Sequence, residues 1–354
     1  MKVGEHVHLF ATSRCNLDCA YCFGPDKQTA SSNLPAIAKI LAKNDVKMVT
    51  IGGGEPLLAK DLENTLEILK MAGIYISVHT NGLLLHKWLP KLEGLVDDIG
   101  LPIDSLDGEK QLMLRGEKFR ETYDDIFRLA KDAQNLDIQV GWHTVFTAIN
   151  YKELESIYRK ISKIGFQYWR IYELNDNLLH ARVMRKFKEQ TNSKNIEKYK
   201  RMRLLQGQGS PEKGYSDCLP AHFLLTEEKM KKHRDSRIQF VAVQDRKEPY
   251  MFIEPNGDVR YYAWFSQYER RSVGNIFQDG FAKVKRKMQE IRDKGPEISG
   301  ETMEEFVETQ ILAVPLWQNL NMGAGFAEEL EEIKSQYWPK VLHLSELFEA
   351  RQSP

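Results

Sequence analysis

The sequence predicts an α/β protein built around a parallel sheet. Short apolar runs of strand length alternate with amphipathic segments of helical period through the first half of the chain, and this alternation is typical of repeated βα units. The chain has 354 residues, which is long enough for one large domain with an appendage or for two domains. We therefore expect a core of consecutive βα units followed by an extension.

Six apolar runs have the length and composition of strands, and segments of helical period separate them. The predicted strands are residues 7–12, 46–51, 74–80, 96–102, 138–146 and 168–174. The predicted helices are residues 34–44, 61–72, 86–92, 123–134 and 151–164, the last with Asn150 as its N-cap. Right-handed connections would bring the carboxyl ends of these strands to one edge of the sheet.

The charge balance argues against a nucleic-acid partner. The 50 basic and 50 acidic residues cancel, so we expect a neutral substrate or one held by local charges. The N-terminus has neither a signal-peptide core nor the character of a transit peptide. No apolar run approaches the roughly twenty residues that span a bilayer. We expect a cytoplasmic protein with no membrane partner.

Three of the four cysteines, Cys15, Cys19 and Cys22, lie within eight residues. Thiolates clustered this closely usually ligate zinc or an iron–sulfur cluster. A structural zinc site closes with four protein ligands, whereas three thiolates on a [4Fe–4S] cluster leave one iron open for a substrate or cofactor. Too few cysteines remain for a disulfide framework, and thiolate ligands require a reducing compartment.

The spacing Cys-x3-Cys-x2-Cys, with Tyr21 before the last cysteine, resembles the signature of the radical S-adenosylmethionine (SAM) enzymes. About thirty residues downstream, residues 49–56 read Val-Thr-Ile-Gly-Gly-Gly-Glu-Pro. This run resembles the Gly-Gly-Glu-Pro segment that holds the SAM amino group in that superfamily. Alone, the cysteines fit a zinc knuckle that lacks its histidine, and the glycines fit a turn. Together, in this order and separation, they favour the radical SAM interpretation.

The resemblance implies a set of cofactors and a reaction. One [4Fe–4S] cluster is held by the three cysteines, SAM chelates its open iron, and reductive cleavage of SAM yields a 5′-deoxyadenosyl radical. Tyr21, Gly53, Gly54 and Glu55 are then expected at the SAM site. Glycines let the backbone approach a ligand closely, and Glu55 is able to accept hydrogen bonds from an ammonium group. A flavodoxin or ferredoxin is the expected electron donor.

The resemblance also implies a partial (β/α)6 barrel of TIM type over residues 1–175, with its ligands at the carboxyl ends of the strands. Four further SAM-site candidates follow from that geometry. Asn81 lies in a Thr-Asn-Gly segment that fits either the methionine end of SAM or a simple turn. Ser105 points toward SAM or substrate, or caps a short helix. His143 contacts the SAM ribose or carboxylate if it faces the lumen, and is otherwise a core residue. Tyr172 shares a strand face with Arg170, which pairs with a carboxylate or phosphate of the ligand or with a structural carboxylate.

The second half of the chain has a different character. Residues 176–215 are expected to form a charged helical and loop linker, and residues 216–354 an α+β extension. Residues 251–262 predict a hairpin with an Asn-Gly turn. With the Gly-Asn-Ile of residues 274–276, it resembles the SPASM or twitch extensions of radical SAM enzymes. Those extensions ligate auxiliary clusters through cysteines, and residues 219–354 contain none. We therefore expect a cluster-free scaffold that covers the barrel mouth with Tyr262, Trp264 and Phe265.

Cys218, the fourth cysteine, supports two hypotheses. A buried, inert core thiol is the commoner role for a lone cysteine. The other hypothesis is a catalytic hydrogen-atom donor, since some radical SAM epimerases quench the substrate radical with a thiol from the extension.

The sequence leaves the substrate open. We favour a small polar metabolite such as a sugar, a nucleotide or a natural-product intermediate. It would undergo epimerisation, dehydration or carbon–carbon bond chemistry in a biosynthetic oxidoreductase or lyase reaction. Viperin-like nucleotide dehydratases are a relevant comparison. Two alternatives remain: an enzyme that modifies a peptide during maturation, and a non-catalytic iron–sulfur or SAM-binding protein that senses redox state.

Overall fold

The fold is built on ten strands that form one sheet. In chain order they are β1 (His6–Thr12), β2 (Met48–Gly53), β3 (Tyr75–His79), β4 (Asp98–Pro102), β5 (Gln139–Phe146), β6 (Tyr168–Glu173), β7 (Ile238–Val241), β8 (Met251–Ile253), β9 (Asp258–Tyr261) and β10 (Arg271–Asn275). The computed structural model describes residues 2–22, 33–174, 219–241, 251–261 and 271–294. All of these residues belong to one compact unit, Met1–Glu297.

Helices connect the parallel strands. They are α1 (Leu34–Ala42), α2 (Leu62–Met71), α3 (Leu85–Leu92), α4 (Gly108–Arg115), α5 (Arg120–Tyr123), α6 (Ile126–Asn135), α7 (Leu154–Ile164), α8 (Leu219–Met230) and α9 (Phe281–Lys294). Short 3-10 turns occur at Pro56–Leu58, Glu117–Phe119, Tyr151–Glu153 and Lys231–His233. The six predicted strands and five predicted helices are all present, with ends shifted by at most three residues. The predicted α/β fold with a parallel sheet is confirmed.

The first six strands are parallel neighbours in chain order, and later strands extend the sheet at both ends. At one end, β7 pairs in parallel with β6. At the other end, β8 pairs in parallel with β1 and continues antiparallel into β9 and β10. The predicted hairpin is confirmed, because Gly257 adopts a φ of +85° in the turn between β8 and β9 and its amide donates to the Glu254 carbonyl at 2.8 Å. The extension thus adds strands to the core sheet. The predicted boundaries of the linker and extension, and its resemblance to SPASM domains, remain predictions.

Alternation along the strands separates an outer face from an inner face. Trp142 and Trp169 are fully buried on the outer face. Their rings pack against Phe127 of α6, at 5.6 Å between centroids, and Tyr158 of α7, at 6.4 Å. The residues next to them in sequence point the other way, since side chains alternate across a strand. The inner face therefore carries polar aromatic side chains such as His143.

Asn150 occupies the N-cap position of the 3-10 turn Tyr151–Glu153 that precedes α7, but its side chain makes no capping hydrogen bond. Asn150 is completely buried, and its amide nitrogen donates to the backbone carbonyls of Asp104 and Val145, both at 2.8 Å. Its side-chain oxygen accepts from the Thr147 amide at 2.8 Å. Buried backbone groups need partners, and Asn150 supplies them at the ends of β4 and β5 instead of capping Tyr151–Glu153.

Three glycines, Gly52, Gly100 and Gly141, lie on the inner face. At two of them, the space that a side chain would occupy is filled by a neighbouring aromatic ring. Register places Gly100 opposite Gly141, and Gly141 opposite Tyr168. A Cβ atom at Gly141 would overlap the Tyr168 ring, and one at Gly100 would overlap the His143 ring. A Cβ atom at Gly52 would have no heavy atom within 4 Å.

This contrast predicts different costs for the same substitution. Gly141→Ala forces the Tyr168 ring out of its position, and overpacking of this kind costs about 1–3 kcal/mol. Gly52→Ala is the matched control, because its methyl group enters open space, and its effect should stay within about 1 kcal/mol. Urea unfolding of both variants measures the free energies. Equal destabilisation by the two substitutions would contradict the packing described here.

Candidate active site

The cysteine loop, residues 13–22, leaves the carboxyl end of β1 and is held on two sides. The thiol of Cys15 accepts a hydrogen bond from the Leu17 amide at 3.4 Å and is 3.9 Å from the Asn81 side-chain nitrogen at the end of β3. On the other side, the Ala20 amide donates to the Leu114 carbonyl of α4 at 2.8 Å. The loop is thus fixed at the edge of the sheet where the strands end.

Backbone pairing joins this loop to the glycine-rich end of β2. The Gly54 amide donates to the Thr12 carbonyl, and the Glu55 amide donates to the Arg14 carbonyl, both at 2.8 Å. Gly53 has a φ of +119°, and a Cβ atom there would lie 2.5 Å from the Thr12 oxygen. A Cβ atom at Gly54 would overlap the Arg14 carbonyl. Both glycines are therefore required for the loop to lie against β2, whatever ligand they also bind.

Glu55 is fully buried and its carboxylate accepts three hydrogen bonds. The Leu57 amide and the Thr80 hydroxyl donate to Oε1 at 3.1 and 2.7 Å, and the Asn81 amide donates to Oε2 at 2.8 Å. Burial raises the pKa of Glu55 to about 7, against the effect of these hydrogen bonds. A carboxylate offers about four lone-pair sites, so an ammonium group remains compatible with this arrangement. The expected role of Glu55 toward SAM stays a prediction.

Asn81 links the segments that the sequence analysis treated separately. Its side-chain nitrogen donates to Oδ1 of Asn16 at 2.7 Å, beside Cys15. Its side-chain oxygen accepts from the Leu83 amide at 3.0 Å. The Asn81 position thus serves both as a turn and as a contact of the cysteine loop.

A buried ion pair between Asp104 and Arg115 contacts the cysteine loop through Tyr21. Asp104 is fully buried, and its Oδ2 lies 2.7 Å from both Arg115 Nε and the Tyr21 hydroxyl. Its Oδ1 accepts from the Val145 amide at 2.8 Å. The Arg115 guanidinium lies 5.5 Å from the centroid of the Tyr21 ring. Sequence reasoning missed Arg115, because it lies on α4, which was not predicted.

The three cysteines are half-buried thiols. Burial raises the pKa of Cys15, and it raises the pKa of Cys19 to about 12 although Arg115 acts in the opposite direction. The Cys22 thiol adds to both increases. Within the described residues, no three His, Cys, Asp or Glu side chains are placed to hold a single metal ion. Three soft sulfur donors on one loop, which repel one another when ionised, fit an iron–sulfur cluster.

Ser105 lies in a fully hydrogen-bonded setting. It is completely buried, and its hydroxyl donates to Oε2 of Glu153 at 2.5 Å. Its amide donates to Gln111 Oε1 at 2.7 Å. Lys110 pairs with the other oxygen of Glu153. These contacts tie α4 to the start of α7, and the proposed role of Ser105 toward SAM remains a prediction.

His143 and Tyr172 face the inside of the barrel. Their rings stack at 5.6 Å between centroids, and His143 also lies 4.3 Å from His79. The Nε2 atom of His143 is buried and has no hydrogen-bond partner among the described residues. Burial lowers the pKa of His143 and of His79 well below the ordinary value, and Arg170 acts in the same direction. Both imidazoles are therefore neutral at pH 7.

Arg170 also faces the inside of the barrel, as predicted from strand alternation with Tyr172. Its guanidinium carbon lies 4.3 Å from the centroid of the Tyr168 ring. Its Nε atom donates to Gln239 of β7 at 3.1 Å. The Tyr168 hydroxyl donates to Asp98 at 2.9 Å. Among the described residues, the inner face thus combines the Arg170 guanidinium with the Asp98 carboxyl group and with aromatic and hydroxyl groups.

A cavity of about 230 Å³ opens at β1, β2 and the end of β3. It is lined by His8, Leu9, Phe10, Thr50, Gly52, Gly53 and His79. Apart from Gly53, the sequence analysis assigned none of these residues to a site. Strand alternation was the signal that would have found His8, Thr50 and His79, because each lies an even number of positions from another inner residue.

Four of the residues discussed from sequence lie outside the described part of the chain. They are Cys218, Tyr262, Trp264 and Phe265. Both hypotheses for Cys218 and the predicted aromatic cover of the barrel mouth therefore remain predictions.

Comparison with known proteins finds a family match for the part of the chain that contains the cysteine loop and strands β1 to β5. Residues 9–161 match the profile of the radical SAM superfamily. A Methanocaldococcus jannaschii protein provisionally named a glycyl-radical enzyme activating enzyme is 29% identical over 163 residues, which are 44% of this chain and 63% of that protein. The GTP 3′,8-cyclase of Chlorobaculum tepidum is 33% identical over 134 residues, 35% of this chain and 41% of the enzyme. The chain spans less than two thirds of the length of these curated relatives.

Solved structures show the same fold at low sequence identity. SuiB of Streptococcus suis, bound to the precursor peptide SuiA, has a TM-score of 0.58 at 16% identity, covering 80% of this chain and 64% of SuiB. The structure of anSMEcpe with bound AdoMet has a TM-score of 0.58 at 17% identity, covering 89% of this chain and 98% of that chain. None of the helices in the described residues is long and apolar enough to span a membrane.

The buried ion pair predicts a large cost when its charge is removed. Asp104→Asn leaves the Arg115 guanidinium buried without a counter-charge, and breaking such a pair costs about 3–5 kcal/mol. Urea unfolding of the apoprotein measures the loss. Glu63→Gln is the control, since Glu63 pairs with Lys91 at 2.7 Å on the exposed surface and should cost less than about 1 kcal/mol. A loss for Asp104→Asn no larger than for the control would contradict this account.

The raised pKa of Glu55 predicts a specific pH dependence of stability. With a pKa of about 7 in the folded chain and an ordinary value of 4.5 when unfolded, Glu55 binds its proton more tightly in the folded state. The contribution of Glu55 to stability is therefore largest below about pH 4.5 and falls as the pH rises to about 7. Between these pH values the wild type should lose on the order of 3 kcal/mol more than Glu55→Gln. Parallel stability curves for the two apoproteins would show that Glu55 titrates normally.

Proposed function

Because this chain carries a radical SAM superfamily domain over residues 9–161, we propose that it is an enzyme that uses SAM and generates a 5′-deoxyadenosyl radical. Cys15, Cys19 and Cys22 hold one [4Fe–4S] cluster in this proposal. The substrate is a small polar metabolite, such as a sugar, a nucleotide or a natural-product intermediate, from which the radical abstracts a hydrogen atom.

The observation that carries the proposal is the backbone pairing of the cysteine loop with Gly54 and Glu55, both hydrogen bonds being 2.8 Å long. This pairing puts the proposed cluster ligands and the proposed SAM-binding segment side by side. Gly53, which begins that segment, also lines the cavity. Cluster, SAM and substrate would therefore meet at one edge of the sheet.

When bound, the cluster supplies the electron that cleaves SAM. The chain's own residues then have three tasks. Asn81 and Leu17 hold the Cys15 sulfur by hydrogen bonds. Arg115 places a positive charge near Cys19, which favours its thiolate form. The neutral imidazoles of His79 and His143 face the inside of the barrel, where they add hydrogen-bonding groups without adding charge.

The size of the cavity and one relative support a small-molecule substrate. The name of the Chlorobaculum tepidum relative gives it GTP as substrate. The name of the Methanocaldococcus relative implies a protein substrate, and SuiB was solved with a peptide. The likeness to SuiB concerns the fold alone. A cavity of about 230 Å³ is a closer match to part of a metabolite than to a peptide segment. A flavodoxin or ferredoxin as electron donor and a cytoplasmic location belong to the same proposal.

The test is 5′-deoxyadenosine formation by the anaerobically reconstituted protein with SAM and dithionite. Slow formation of 5′-deoxyadenosine should be lost in Cys19→Ala, because two thiolates no longer hold the cluster. Met71→Ala is the control, since Met71 is 89% exposed on α2, and it should retain full activity. Tight SAM binding without cleavage by a reducible cluster would instead favour the redox-sensor hypothesis. A preparation that binds only zinc would overturn the cluster assignment.

A further inference from the structure

Among the described residues of the inner face, Gly52 is a position without a side chain whose space no neighbouring side chain fills. Gly52 follows Ile51, which pairs with Val78, so Gly52 is level with His79 on the adjacent strand. The space above Gly100 and Gly141 is filled by the rings of His143 and Tyr168. The space above Gly52 is open and forms part of the cavity. The location of the cavity is therefore set by this glycine.

The size of the cavity limits what it can hold. A volume of about 230 Å³ is room for roughly seven or eight waters at about 30 Å³ each. Pockets for drug-sized ligands usually measure about 300–1,000 Å³. One five- or six-membered ring with its substituents fits this space.

The chemistry of the lining limits the charge of the occupant. None of the seven described lining residues is Asp, Glu, Lys or Arg. The Thr50 hydroxyl lies 2.8 Å from His6 Nε2, and the His8 ring lies 4.9 Å from the Phe252 ring. Arg170 contacts Tyr168 and Gln239 and does not line the cavity. An ionised group would find no counter-charge among these lining residues, whereas a neutral polar ring finds imidazole and hydroxyl partners and aromatic faces.

We propose that the cavity beside Gly52 binds a single uncharged, hydrogen-bonding ring of the substrate, and that the missing side chain at Gly52 sets the size of that ring. The proposal rests on the proposed function, because Gly53 of the same cavity begins the segment expected to anchor SAM. A sugar ring and a pyrimidine base share this chemistry. Charged parts of the same substrate would lie outside the cavity.

The test measures binding of single-ring probes to the reconstituted protein with SAM, by saturation-transfer NMR and calorimetry. Uracil, methyl β-D-ribofuranoside and methyl α-D-glucopyranoside are the neutral probes. Comparison of uracil with the two glycosides shows whether the bound ring is a pyrimidine base or a sugar. Methyl α-D-glucuronide is the anionic counterpart of the pyranoside. At least one neutral ring should bind saturably at millimolar concentration, and the glucuronide should bind at least about tenfold more weakly than the glucoside if the pyranoside is the ring bound. If only uracil or the ribofuranoside binds, absence of glucuronide binding is the expected result.

Variants at Gly52 test its role as the size limit. Gly52→Ala should weaken the bound ring measurably and Gly52→Val by at least about tenfold, since one added methylene-sized group in a pocket is worth about 10–200-fold. Gly108→Ala at the start of α4 is the matched control, because a Cβ atom there meets only Tyr123 at 3.4 Å or more, and it should leave binding unchanged. If the valine variant fails to fold, the alanine variant decides, because its Cβ atom meets no neighbour.

Three results would overturn the proposal: no binding of any neutral ring, tighter binding of the glucuronide than of the glucoside, or binding that Gly52→Val does not weaken. SAM cleavage by the wild type is measured separately. If the wild type cleaves SAM and no neutral ring binds, the inference about the cavity fails and the proposed function stands. If the wild type does not cleave SAM, the proposed function fails whatever the rings do.

Discussion

The candidate site depends on one short stretch of backbone pairing, in which residues 12–14 lie against residues 53–55. Two hydrogen bonds of 2.8 Å hold it, and the glycines at 53 and 54 allow the approach. The pairing extends the β1–β2 register beyond the regular strands, so the cysteine loop is an extension of the sheet with a defined position. Glu55 then turns inward and binds Thr80 and Asn81, which carries the same constraint to β3. This one contact therefore positions the cysteine loop, the glycine-rich end of β2 and the end of β3 relative to one another.

The sheet separates structural from chemical roles by strand alternation. Outward-facing residues such as Trp142 and Trp169 are apolar and pack against helices, where they provide most of the burial that stabilises a fold of this kind. Inward-facing residues such as His79 and His143 are polar aromatics, held in place by their neighbours and by the space that glycines leave. Because adjacent residues face opposite sides of the sheet, substitutions at inward-facing positions alter the chemistry of the lumen and leave the outward-facing residues packed against the helices.

Much of the fold could be predicted from sequence, because each βα unit carries its own local periodicity. The six core strands and the 251–262 hairpin are of this kind. The helix Gly108–Arg115 was missed because it is short, polar and begins at a glycine, and its main contact, Arg115 with Asp104, is a tertiary one. The position of β8 beside β1 also depends on pairing between residues about 240 positions apart, which no local pattern reveals. At the site, the cysteine spacing was informative by itself, whereas the cavity could be located only once the register showed which glycine stays open.

The pairing of β8 with β1 has a consequence for how the chain is made. Met251, Phe252 and Ile253 cover the outer edge of the first strand, and they are synthesised long after it. At about 5–20 residues per second, the β1 edge waits tens of seconds for its partner during translation. An open edge strand is a template for association with other chains. The segment that matches the superfamily, residues 9–161, therefore emerges from the ribosome with one strand edge uncovered, and that edge is open to pairing with other chains until Met251–Ile253 follows.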